Sequence, residues 1–295
     1  MAAWILGVIG GSGVYEIKGL EGARWTRVAS PFGEASDSLL TGGIGDVGLV
    51  FLPRHGRGHV LPPTAVNARA NIDVLKRAGC TDVLSLSAVG SLREALSPGD
   101  FVVVDQFIDL TFARDKSFFG PGLAAHVSMA RPVCPRLSAL AAAAGRLAGA
   151  RVVEGGCYLA MEGPQFSTEA ESALYRAWGC DVIGMTNMPE AKLAREAELP
   201  YASVAMVTDH DCWREAAEAV EVHHIQTVMA ANAGRARDLV TRLARSLPVR
   251  RTPSPIDTCL DGALITAPAA RDPAMVERLS AVAGRALART PSHAV

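Results

Sequence analysis

Residues 201–213 read Tyr201-Ala202-Ser203-Val204-Ala205-Met206-Val207-Thr208-Asp209-His210-Asp211-Cys212-Trp213. The first seven form a short apolar run with β-branched Val204 and Val207, so they read as a strand entering a sheet. Asp209 and Asp211 stand just past it. If the extended conformation continues, both carboxylates point to one side of the chain. A paired acidic edge of this kind accepts hydrogen bonds from an amine, holds a metal ion or delivers a proton. Asp211, ahead of Trp213-Arg214-Glu215, also suits a helix cap.

Other strand-like runs recur at residues 4–9, 49–52, 83–86, 101–104, 151–159 and 180–185. Between them, apolar residues at helical spacing predict helices over 66–78, 135–147, 169–178, 189–198 and 220–247, the last stopped by Pro248. Strands alternating with helices predict an α/β domain with a largely parallel or mixed sheet. One domain is expected over 1–248. Pro248, Pro253 and Pro255 then break the pattern, and a helix over 273–288 follows. Residues 249–295 are expected to form an extension packed on the core or on a neighbouring subunit.

The 295 residues are 49% hydrophobic and 20% charged, normal for a globular protein with a substantial core. With 29 Lys and Arg against 30 Asp and Glu, the charge argues against generic binding to nucleic acid or an anionic membrane. The apolar start lacks a basic leader and cleavage pattern, and no apolar run is long enough to span a bilayer, so a cytoplasmic protein is expected. The six cysteines are scattered without a Cys-x-x-Cys pair, which predicts free thiols and no zinc site.

Several strand ends carry chemistry. Gly10-Gly11-Ser12-Gly13 follows the first strand, and its backbone N–H groups with the Ser12 hydroxyl suit an anion; it is neither a Walker loop nor a dinucleotide fingerprint. A tight turn without a ligand is an equal reading. Pro53-Arg54-His55-Gly56-Arg57-Gly58-His59 places cationic and titratable side chains in one loop, where a guanidinium suits a bidentate grip on phosphate and an imidazole suits a further donor; a solvated basic loop and a His55–His59 metal site are the other readings. Ser85-Leu86-Ser87-Ala88-Val89-Gly90-Ser91-Leu92 suits an oxyanion contact through hydroxyls and backbone donors, and reads equally as an ordinary strand-to-loop transition. Phe166, in the turn Met161-Glu162-Gly163-Pro164-Gln165-Phe166-Ser167, suits stacking on a flat heterocycle. In the junction Gly184-Met185-Thr186-Asn187-Met188-Pro189-Glu190, Met185 suits packing against a sugar and Thr186 donation to an anion, although each alone reads equally as core or cap.

Taken in order, with His126-Val127-Ser128-Met129 added, these segments resemble the trimeric purine nucleoside phosphorylase family, and within it the branch acting on 5′-methylthioadenosine. The resemblance covers roughly residues 4–245. It implies a single-domain α/β nucleoside phosphorylase-like fold, with a mixed central sheet flanked by helices. It also implies that phosphate attacks C1′ of a nucleoside and releases the purine, with inorganic phosphate as co-substrate, no further cofactor and no metal. By analogy, phosphate sits among Ser12, Arg54, His55, Ser87, Ala88 and Thr186; Met185 touches the ribose and Phe166 flanks the base. Asp209 is expected to protonate N7 as general acid, its pKa raised by burial beside a second carboxylate, and Asp211 to accept from the 6-amino group. A 6-oxopurine enzyme would place an amide where Asp209 stands. Ser167, Val222 and Ile225 are expected near the 5′ pocket, with His126 reaching in from a neighbouring subunit of a homotrimer or a dimer of trimers. Competing expectations are a methylthioinosine or general purine nucleoside phosphorylase, and a non-catalytic nucleoside-binding protein.

Overall fold

The computed structural model describes residues 4–289 apart from Ser12, Tyr15 and residues 215–221; of residues 222–226 it describes the backbone alone. Among the described residues, eleven strands form one sheet. They are β1 (Ile5–Gly10), β2 (Glu21–Thr26), β3 (Leu39–Ile44), β4 (Val47–Pro53), β5 (Asp82–Ser91) and β6 (Phe101–Val104). After them come β7 (Gln106–Asp109), β8 (Val152–Glu154), β9 (Cys157–Ala160), β10 (Val182–Gly184) and β11 (Tyr201–Asp209). The order β2-β3-β4-β1-β5-β10-β9-β7 forks at β5, which also pairs with β11 in parallel; β11 in turn pairs with β6, and β6 with β8. The sheet is mixed, and helices flank it.

Both faces are covered, which is why the central strands are apolar throughout rather than alternating. Along β11, Tyr201, Ala205 and Val207 join one core cluster, and Ala202, Val204 and Met206 join the other. The first cluster packs under α1 (Ala68–Arg77) and α4 (Glu190–Glu196), and the second under α2 (Pro135–Leu147) and α5 (Val222–Ser246). On a third, smaller cluster sits α3 (Glu169–Ala177), which a reciprocal Thr168–Glu171 capping box starts.

Three strands escape the sequence pattern. In β2 every residue is exposed or half-buried, and β3 carries Gly42 and Gly43, so neither shows the expected apolar signal. The polar-ended β7 is the third. The predicted strand over 151–159 is two strands, interrupted at Gly155 and Gly156, which both take positive φ. The single helix expected over 273–288 is also two, α6 (Pro273–Arg278) and α7 (Ser280–Leu287), because the chain turns at the fully buried Leu279.

Residues 249–289 pack on their own chain. Leu260, Leu279, Val282 and Ala283 share the core cluster of α1 and α4. Arg251 pairs with buried Asp82 at the start of β5 and with Asp257, while Arg285 pairs with Glu198. No helix among the described residues is long and apolar enough to cross a membrane.

Candidate active site

The fork in the sheet makes the site. β1 accompanies β5 only as far as Ser85, and β10 joins it only from Gly90. Between them, one edge of residues 86–89 has no strand beside it. Ala88 is exposed there, in a strand whose other residues are nearly all buried. That edge opens on a cavity of about 320 Å³, lined also by the ends of β1, β4, β10 and β11 and by one face of α5.

Arg54, His55, Ser87, Ala88, Phe166, Met185, Thr186, Asp209 and Asp211, expected to act together, all line this cavity. His126 does not; it borders a separate surface depression with Lys116 and Lys192. Ser167 lies beside the cavity, its hydroxyl turned to the sulfur of Met161 at 3.8 Å. Ser12 and the side chains of Val222 and Ile225 lie outside the described residues.

The bidentate grip expected of Arg54 is directed elsewhere. Its Nε and Nη2 donate to the two carboxylate oxygens of Glu190 at 2.9 and 3.1 Å, Nη2 also to Ser85 Oγ at 2.6 Å, and Nη1 to the Leu86 carbonyl at 3.0 Å. A guanidinium has five N–H groups, so a single Nη1–H is left for a ligand. Burial disfavours both charges, but the ion pair outweighs it, holding Arg54 above and Glu190 below their ordinary values. Buried Asn187 completes this cluster, accepting from Ser85 Oγ and Tyr201 Oη and donating to Ser203 Oγ. It braces the cluster beneath the cavity and does not line the cavity itself.

His55 also differs from the expected donor. Burial, then the Arg54 charge, push its pKa down to about 4, so the ring is neutral at pH 7. Its Nδ1 faces the Leu61 carbonyl at 2.9 Å, where only an N–H can sit. Nε2 is therefore an acceptor. The ring stacks on that of His59, centroids 4.3 Å apart.

The acidic pair is arranged by a turn rather than by strand alternation. β11 pairs with β5 up to Val207, and the register then shifts before Asp209 meets Gly90. The chain leaves the extended conformation: Asp211 has φ +53°, and its backbone N–H donates to Asp209 Oδ1 at 2.8 Å. Asp209 Oδ2 accepts from the Thr208 hydroxyl at 2.6 Å. Burial, helped by the Asp209 charge, raises the pKa of Asp211. No cluster of three metal-ligating side chains occurs among the described residues.

Sequence reasoning missed the supports. Glu162 accepts from the backbone N–H groups of Phe112 and Ala113 and from Arg114 Nε. Arg114 also donates to the carbonyls of Met185 and Met188, tying the Phe166 turn to the Thr186 junction. Nothing in the sequence marks that contact, because its partners lie 48 to 74 residues apart. Met229 and Asn232 were legible: they follow Ile225 by four and seven residues, the spacing of one helix face, and both line the cavity.

A family model described as the phosphorylase superfamily matches residues 5–245. The chain belongs to the phosphorylase superfamily. Among its relatives in that superfamily, the S-methyl-5′-thioadenosine phosphorylase of Cereibacter sphaeroides is 61% identical over 96% of this chain and 98% of the relative. That of Rhodospirillum rubrum is 59% identical over 96% and 97%. Among solved structures, a methylthioadenosine phosphorylase sourced from an antarctic soil metagenomic library superposes with a TM-score of 0.91, at 42% identity over 96% of this chain and 99% of that one. The Schistosoma mansoni methylthioadenosine phosphorylase in complex with adenine superposes at 0.76, with 40% identity over 82% and 91%.

Proposed function

We propose that this phosphorylase-superfamily member cleaves S-methyl-5′-thioadenosine with phosphate, yielding adenine and 5-methylthioribose 1-phosphate. One observation carries the reading: the Asp209–Asp211 pair shares a cavity with the hydroxyl, imidazole and open strand edge of Ser87, Thr186, His55 and Ala88. Relatives of that name at 61% and 59% identity support the substrate.

Phosphate occupies the end formed by Arg54, His55, Ser87, Ala88 and Thr186, to which the resemblance adds Ser12. Hydroxyls donate to its oxygens, Arg54 contributes its remaining N–H and its charge, and the His55 Nε2 acceptor suits the P–OH of hydrogen phosphate. Met185 packs on the ribose and Phe166 on the base. As the glycosidic bond breaks, cationic character on the ribosyl ring is steadied by phosphate, and negative charge on the purine by a proton from Asp209 to N7. Asp211 accepts from the 6-amino group; a carboxylate of raised pKa is the more basic, stronger acceptor. Phosphate is a co-substrate, and the reaction uses no other cofactor.

We read the working unit as a homotrimer or a dimer of trimers, located in the cytoplasm, in which His126 reaches the 5′ end of a neighbour's substrate. Its position away from its own cavity supports this, as do Phe112 and Phe166, which stand 81% and 80% exposed. The six cysteines are free, in keeping with a reducing compartment.

The deciding assay follows base release from methylthioadenosine, methylthioinosine, adenosine and inosine in parallel, with and without phosphate. Dominant phosphate-dependent adenine release from methylthioadenosine is expected. Dominant hypoxanthine release would overturn the substrate, and no release from any of the four would point to a nucleoside-binding protein.

A further inference from the structure

Tyr158 lies opposite Val182 in the β9–β10 pairing, so its ring shares a sheet face with Gly184, two residues along β10. Gly184 leaves that space open. A Cβ built there would stand 2.0 Å from the Tyr158 hydroxyl and 2.8 Å from Cζ, so no residue with a side chain fits while the tyrosine is in place. The hydroxyl passes over the glycine and reaches the cavity floor. There it lies 3.0 Å from Thr186 Oγ1 and accepts the Thr186 backbone N–H at 3.4 Å. Buried Ser87 Oγ is close by, without a hydrogen bond of full geometry to any protein group. Tyr158 itself is fully buried and does not line the cavity.

A hydroxyl has one proton to give. With Tyr158 donating to Thr186 Oγ1, the Thr186 proton is free to point into the cavity. In the opposite sense Thr186 donates to Tyr158, Tyr158 donates to Ser87, and the Ser87 proton points inward. Either way the phenol ensures that the floor presents a donor. Burial pushes its pKa up, so it keeps its proton across the working pH range.

We infer that Tyr158 is a positioning residue that orients the Thr186 and Ser87 hydroxyls toward the phosphate co-substrate, in the room that Gly184 leaves. The inference rests on the proposed phosphate site, and it adds a residue that never touches the substrate.

Steady-state kinetics of Tyr158→Phe, Thr186→Val and the double variant test it, with each substrate varied in turn. Tyr158→Phe removes one neutral hydrogen bond and keeps the ring, so KM for phosphate is expected to rise roughly 3- to 10-fold while KM for the nucleoside holds. In the Thr186→Val background the same change is expected to do less, because one of the two hydroxyls it orients, the one it is hydrogen-bonded to, is gone. A thermal melt close to that of the unmodified chain separates positioning from loss of fold. An unchanged KM for phosphate, equal rises in both KM values, or full additivity in the double variant would each overturn the role of Tyr158. Absence of phosphate-dependent turnover in the unmodified chain would instead overturn the function on which it rests.

Discussion

Arg54 and Glu190 form a two-point ion pair, at 2.9 and 3.1 Å, with side chains only 4% and 6% exposed. The pair joins the end of β4 to the start of α4, 136 residues apart, directly beneath the proposed phosphate site. Glu190→Gln keeps the shape but leaves a buried cation without its counter-charge. Such a loss costs about 3–5 kcal/mol of stability, which denaturant unfolding measures. A cost below about 1 kcal/mol, the scale of an exposed pair, would show that the geometry overstates the coupling.

Asp209→Asn tests charge rather than folding. The new amide still accepts the Asp211 N–H, and Thr208 turns its proton to the Val89 carbonyl, 3.1 Å away, while accepting from the amide NH2. Turnover of methylthioadenosine is expected to fall at least ~100-fold, with some gain on 6-oxopurine nucleosides. Unchanged kinetics on methylthioadenosine would sink the general-acid assignment.

Gly90 faces the acidic pair. A Cβ there would lie 3.0 Å from Asp209 Oδ1, 3.2 Å from Ile183 Cγ2 and 3.4 Å from Asp211 Cβ. Gly90→Ala is therefore expected to displace the carboxylates by tenths of an ångström and lower kcat/KM for the nucleoside by roughly 10-fold. KM for phosphate, measured in the same experiment, should be spared. A matching loss on both substrates would argue for a general disturbance of the sheet.

The His55 pKa falls from an ordinary 6.5 to about 4 on folding. The unfolded chain then binds the extra proton between these values, so this group's contribution to stability is complete above pH 6.5 and is lost as pH falls toward 4. The expected loss is up to about 2 kcal/mol after allowing for solvent screening. Urea unfolding from pH 7 to 4 measures it, and His55→Asn should flatten that part of the profile. An equally steep profile in the variant would assign the acid sensitivity to other groups.

Much of the site was legible because function here sits at strand ends. Each apolar run stops at a short polar segment, and those segments supplied Arg54, His55, Ser87, Thr186, Asp209 and Asp211. Their roles were less so. Arg54 reads as a phosphate clamp until Glu190 is seen to hold its Nε–Nη2 edge, and His55 reads as a donor until the Leu61 carbonyl claims Nδ1. The floor residue Tyr158 reads as a buried strand aromatic until its hydroxyl is seen over Gly184.

The acidic pair divides the same way. That two carboxylates follow an apolar strand was readable along the chain, because local periodicity and composition are carried by neighbouring residues. Their convergence on one cavity was decided by tertiary structure alone: a register shift against β5, a turn held by the Asp211 N–H, and the bare edge of Gly90. The contacts with β5 join segments more than a hundred residues apart, and side-chain spacing along the chain has no term for them.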